Sequence, residues 1–130
     1  MKESTRLALR HPILFLETAT RLLIMDILVR CLSLKYLAKK CSEFRDSPDD
    51  FERTERIFRF LTIFERYLPG PSCLRSSLVL FWMMSKGTLR IGILRNSKSI
   101  EAHAWVEKQE RVYSISQGHQ KYESLMQFEK

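Results

Sequence analysis

Apolar residues gather first at Ile13-Leu14-Phe15-Leu16 and continue to Leu34, interrupted at regular intervals by Glu17, Arg21, Asp26 and Arg30. Glu17 with Arg21 and Asp26 with Arg30 are i,i+4 pairs with the acid first, the order that supports a helix. Helical spacing gives Leu16, Ala19, Leu23, Ile27 and Val29 as its buried side. A break is expected near Cys31-Leu32-Ser33, with Lys35, Lys39 and Lys40 at the tail. Because Lys2, Arg6 and Arg10 precede it, the run at Ile13 has the outline of a signal peptide. Glu17 ends it too early, and the recurring charges interrupt any span of about 20 apolar residues. Neither export nor membrane crossing is expected. Docking at a lipid surface is the alternative role for this basic amphipathic segment.

Residues 41 to 50 turn polar and acidic, and Ser47-Pro48-Asp49-Asp50 supplies the signals that start another helix. Phe51, Ile57, Phe58, Leu61, Phe64 and Leu68 then recur at a helical period, up to the stop at Pro69-Gly70-Pro71. After it come Ser72-Cys73-Leu74-Arg75 and the run from Leu78 to Met84, apolar on all sides, which reads as a helix in the middle of the core ending near Gly87. Beyond it the pieces shorten and gain β character: Leu89 to Leu94, Ile100 to Glu107, and Arg111 to Ile115. Turns at Asn96-Ser97-Lys98-Ser99 and Lys108-Gln109-Glu110 make them successive antiparallel strands. The tail from Tyr122 to Phe128 reads as a short helix. Helices first and strands after give an α+β domain.

With 130 residues, 45% of them apolar, and four each of Gly and Pro, the chain suits one domain over 1–130. Its helical part is 1–68, and the cysteine helix with its sheet is 69–130. Three cysteines cannot all pair within the chain, which favours a reducing compartment, the cytoplasm. The net charge of +7 divides into +5 over 1–45, −2 over 46–72 and +4 over 73–130. That excess suits an acidic peptide, a nucleic acid or an anionic membrane surface. No aromatic-rich RNA-binding motif is present, so no nucleic-acid partner is expected. Cys31 and Cys41 lack CxxC spacing, His11 and His119 complete no zinc set, and Gly87 and Gly92 are isolated rather than part of a phosphate loop. Neither metal nor cofactor is expected.

Two residues carry candidate chemistry. A cysteine nucleophile works as the thiolate, and unpaired backbone N–H groups at a helix start favour an anion. Cys73 falls in the first turn after Pro71-Ser72, where the same N–H groups could receive a developing oxyanion. A free cysteine is also commonly a small buried hydrophobe. His103 lies in Glu101-Ala102-His103-Ala104-Trp105-Val106-Glu107, where alternation puts Ala102, Ala104 and Val106 on one face and His103, Trp105 and Glu107 on the other. A lone strand histidine is often structural, and the cysteine and histidine say more together than apart.

The block from Leu68 to Leu78, then Arg90-Ile91-Gly92-Ile93, then Ala102-His103-Ala104-Trp105-Val106-Glu107, resembles the leader peptidases of bacterial lasso-peptide biosynthesis. These are transglutaminase-like cysteine proteases, similar to the C-terminal domain of the microcin-processing B protein. The resemblance covers most of residues 55 to 115. It implies a papain/transglutaminase-like α+β core, with Cys73 as nucleophile and His103 as general base. The family places an aspartate on the next strand, and here Tyr113-Ser114-Ile115-Ser116-Gln117 holds no carboxylate. Ser114, Ser116 or Gln117 as a neutral partner, Glu107 from the same strand face, a weakened dyad, or a scaffold that only presents substrate all remain open. The implied partners are the lasso precursor peptide, a separate small leader-recognition protein and an ATP-dependent macrolactam cyclase.

Overall fold

The computed structural model describes residues 3–44, 51–68, 72–95, 100–108, 111–114 and 123–129. Helix α1 (Glu3–Arg10) ends before His11, and Pro12 occupies the first turn of α2 (Pro12–Cys31), where its missing N–H leaves no helical bond unmade. The break expected near residue 32 is present. Ser33 caps α3 (Leu34–Glu43), its Oγ accepting the Tyr36 N–H at 3.3 Å. Helix α4 (Phe51–Glu65) and helix α5 (Ser72–Met83) follow. The start signals at 47–50 and the break at 69–71 lie outside the described residues.

Helix α5 is the centre of the molecule. Leu78, Val79, Leu80, Phe81 and Met83 are sealed from solvent and share a core with Leu22 and Met25 of α2, Leu37 and Ala38 of α3, and Ile57 and Leu61 of α4. Its last turn is closed by Arg53, whose Nη1 donates to the Met83 carbonyl at 2.9 Å. A cation there meets the negative end of the helix dipole.

Two expectations about the helices change. The buried side of α2 is Thr18, Leu22 and Met25, while Leu16, Leu23 and Ile27 are more than half exposed. Both sides of α2 are apolar, so the period is right and the phase is not readable from it. In α4, Phe51 is 59% exposed and Phe60 takes the core position.

Strands β1 (Thr88–Arg95), β2 (Ile100–Lys108) and β3 (Arg111–Tyr113) form where expected and pair antiparallel. The tail does not form a helix. Residues 123–129 are strand β4 (Glu123–Glu129), antiparallel to β1, giving the order β3-β2-β1-β4. Leu, Met, Gln and Glu favour a helix in isolation, but pairing with β1 satisfies a row of backbone groups and puts Phe128 opposite Leu89 at the core edge. The rung Leu89, Val106 and Tyr113 faces the helices.

Candidate functional site

Cys73 is the second residue of α5, in its first turn, and is half-buried. One turn further on, the Ser77 hydroxyl donates to the Ala104 carbonyl at 3.0 Å, fixing the helix to β2 immediately beside His103. The small side chain of Ala104 leaves room for that approach. Cys73 and Ser77 are four positions apart, so they share a helix face about 6 Å apart along the axis. Nothing in the periodicity singled out Ser77 from Ser72 and Ser76 on the same helix.

His103 is 3% exposed and stands opposite Gly92 in the β1–β2 register. Its Nε2 and the Ser114 Oγ are hydrogen bonded at 2.8 Å. The Trp105 ring stacks near the imidazole, with centroids 5.7 Å apart and planes 25° from parallel. Trp105 is itself held, its Nε1 donating to Glu107 Oε1 at 3.2 Å, while Arg90 Nε donates to Glu107 Oε2 at 2.6 Å. The imidazole is therefore fixed by a hydroxyl at one nitrogen and by an anchored indole along its face.

Of the four predicted site residues, the structure brings His103 and Ser114 together. Cys73 is at the head of the helix that Ser77 ties to β2. Ser116, like Gln117, lies outside the described residues. The Glu107 carboxylate, the acid on the histidine's own strand face, is engaged by Arg90 and Trp105. A groove of about 570 Å³ between α3 and β4, lined by residues such as Lys35, Lys39, Met126 and Phe128, contains none of the four.

The sequence reading missed a buried ionic cluster two residues after Cys73. Arg75 is 2% exposed; its Nε and Nη2 donate to the two oxygens of Glu65 at 2.8 and 3.1 Å, and its Nη1 donates to Asp26 Oδ1 at 2.9 Å. The Glu65 bonds hold the guanidinium above its ordinary pKa against the opposing effect of burial, and Asp26 adds to them. The cluster joins α2, α4 and α5 and fixes the turn that carries Cys73. An arginine just ahead of the apolar run at Leu78 was its signal, but Asp26 is 49 positions away, beyond any local pattern.

A second ionic group anchors β3. Arg111 Nε donates to Glu55 Oε1 at 3.0 Å, and the Tyr113 hydroxyl donates to the same oxygen at 2.8 Å. Burial alone would raise the Glu55 carboxyl, yet the bonds from Arg111 and Tyr113 and the charges of Arg111 and Arg59 outweigh it and hold it below its ordinary range. Tyr113 moves the other way, raised by burial and then by its bond to Glu55. This group holds the strand that ends next to Ser114.

With the fold and these contacts in place, comparison with known proteins identifies the family. The model of the transglutaminase-like superfamily matches residues 15–127, and the chain belongs to that superfamily. No curated protein and no solved structure matches it.

Proposed function

We propose that this member of the transglutaminase-like superfamily is a cysteine peptidase that removes the leader from a lasso-peptide precursor, with Cys73 as nucleophile and His103 as general base. The observation that carries the reading is the bond between His103 Nε2 and Ser114 Oγ, made at the end of β3, the strand that follows the histidine strand as in the resembled family. With Nε2 directed at Ser114, the thiol proton passes to Nδ1. Sγ attacks the scissile carbonyl, and the oxyanion forms near the first N–H groups of α5. The tetrahedral species collapses to a thioester as the imidazolium returns its proton to the leaving amine. Water, deprotonated by the same nitrogen, then hydrolyses the thioester. Throughout, the Ser114 hydroxyl accepts from Nε2–H without carrying charge, a weaker support for the imidazolium than a carboxylate gives.

The reaction requires Cys73 Sγ to reach Nδ1 past the first turn of α5, because Ala104 and Val106, not His103, alternate toward the helix. The precursor, a small leader-recognition protein and a macrolactam-forming cyclase are the partners of this reading, and the cytoplasm its compartment. The test is incubation of the purified chain with precursor peptide and the leader-recognition protein. Leader release lost in both Cys73→Ala and His103→Ala supports the peptidase; release that survives either one contradicts it.

A second reading rests on the residues from 111 to 117, among which there is no carboxylate. It is a leader-binding scaffold on the same fold. Precursor binding by wild type, with no cleavage in the presence of the leader-recognition protein, favours it.

A further inference from the structure

The reversed phase of α2 leaves an apolar row on the outside of the molecule. Ile13, Leu16, Leu23, Ile24 and Ile27 are 81%, 63%, 56%, 42% and 63% exposed, and Leu9 at the end of α1 is 65% exposed. Positions 13, 16, 20, 23 and 27 share one side of a helix. Thr20 does not interrupt the row with an outward hydroxyl, because its Oγ1 donates back to the Leu16 carbonyl at 2.8 Å. Scattered exposed leucines are ordinary, whereas a continuous row along a helix of 20 residues, about 30 Å, marks a surface that something covers. The other side of the helix is already committed to the core through Leu22 and Met25.

Charge chooses the occupant. Arg6 and Arg10 are exposed at one end of the row, and Arg30 and Lys35 at the other. The acids along its border are paired: Glu17 with Arg21 at 2.9 Å, and Asp26 with Arg75 at 2.9 Å and with Arg30, whose side chain is 70% exposed, at 3.5 Å. A second copy laid along the row, parallel or antiparallel, would set a cationic end against a cationic end. A bilayer of anionic lipid supplies negative headgroups along the whole length and hydrocarbon beneath them. No helix among the described residues is long and apolar enough to cross a membrane, so the geometry is that of a helix lying flat. We propose that the outer face of α2 from Ile13 to Ile27, with Leu9 at the end of α1, rests on an anionic lipid surface, its aliphatic row inserted below the headgroups and its terminal arginines among them. The inference is independent of the peptidase reading, since none of its residues is assigned to catalysis.

Sedimentation with vesicles tests it, using phosphatidylcholine alone and phosphatidylcholine mixed with phosphatidylglycerol. The proteins are wild type, Ile13→Asp with Ile27→Asp, and Arg10→Gln with Arg30→Gln. All four positions are exposed, and circular dichroism checks that each variant keeps its helices. Wild type is expected to sediment with the mixed vesicles only. The aspartate pair should abolish binding, and the arginine pair should weaken it about 25-fold, the equivalent of about 1 kcal/mol for each charge removed. Failure to bind the mixed vesicles, or equal binding to phosphatidylcholine alone, overturns the proposal. So does binding that the aspartate pair leaves intact. A solution dimer of wild type that the aspartate pair splits would assign the face to a second copy instead, and equally overturns it.

Discussion

Arg75 and His103 are both buried and basic, and the protein treats them in opposite ways. Glu65 and Asp26 surround the first with two carboxylates, while the second meets the Ser114 hydroxyl and the Trp105 ring. A guanidinium keeps its charge at every accessible pH, so full ionic pairing fixes it in one state and locks three helices together. An imidazole that acts as a base gains and loses a proton in each turnover, here at Nδ1, while Nε2–H stays bonded to the Ser114 oxygen in both states. The contrast separates two uses of burial. Among the described residues, Glu65 holds the helices, Glu55 β3 and Glu107 β2, while His103 bonds the Ser114 hydroxyl.

The largest effect expected from breaking this contrast is at the ionic side. Arg75→Met leaves Glu65, only 4% exposed, without its guanidinium, and should cost about 3–5 kcal/mol of stability. Urea unfolding measures it. Adding Glu65→Met to Arg75→Met should recover much of the loss, because the uncompensated buried charge is then gone. A single variant as stable as wild type would show that the cluster does not hold the helices.

Next in size is the comparison between the two faces of α2. Leu22→Ala empties a core position and should cost about 2–5 kcal/mol, whereas its neighbour Leu23→Ala should stay within about 0.5 kcal/mol. Equal losses in thermal unfolding would place both residues inside and remove the outer row.

At the neutral side the expected changes are in rate more than in stability. Ser114→Ala removes one hydrogen bond, worth about 1 kcal/mol, and should slow precursor cleavage about five- to tenfold with little change in unfolding. Ser114→Asp supplies the charge-assisted bond and should raise turnover above wild type. Cleavage indifferent to Ser114→Ala would remove this residue from the mechanism.

The smallest effect is a pH dependence. A carboxyl whose folded pKa is lowered adds stability that is fully present above its ordinary value of 4.5 and is lost as pH falls through the lower one. Tyr113 has a raised folded pKa, so its contribution is complete below the ordinary 10.0 and is lost as pH rises beyond it. Denaturation midpoints measured from acid to alkaline pH should therefore fall at both ends, and Glu55→Gln should flatten the acid end. An unchanged acid limb would locate that dependence in other carboxylates.

Local pattern carried most of the fold because most of it is locally determined. The apolar run at Leu78 to Met84, between a helix start and Gly87, read as a buried helix, and the alternation around His103 read as a strand with two unlike faces. Three features escaped for physical reasons. A helix apolar on both sides, α2, gives its period without its phase. A sequence of helix formers, β4, was decided by a partner strand some 35 positions earlier. The Arg75 cluster depends on groups from three separate helices. At the site, Cys73 and His103 were legible as residue types in suggestive places, and Ser114 was one alternative among several. The His103–Ser114 contact was not readable from sequence because it depends on how β3 aligns with β2, which Val106 opposite Tyr113 sets.

The central claim is that the Cys73 sulfur is activated by His103, and the molecule carries its own reference, since Cys31 is exposed and Cys41 buried. The direct measurement is the rate at which iodoacetamide alkylates each cysteine at neutral pH, resolved by peptide mass spectrometry in wild type and in His103→Ala. The account predicts that half-buried Cys73 reacts faster than exposed Cys31 and that His103→Ala removes this advantage while leaving Cys31 unchanged. A Cys73 that reacts more slowly than Cys31, or at a rate indifferent to His103, would contradict it.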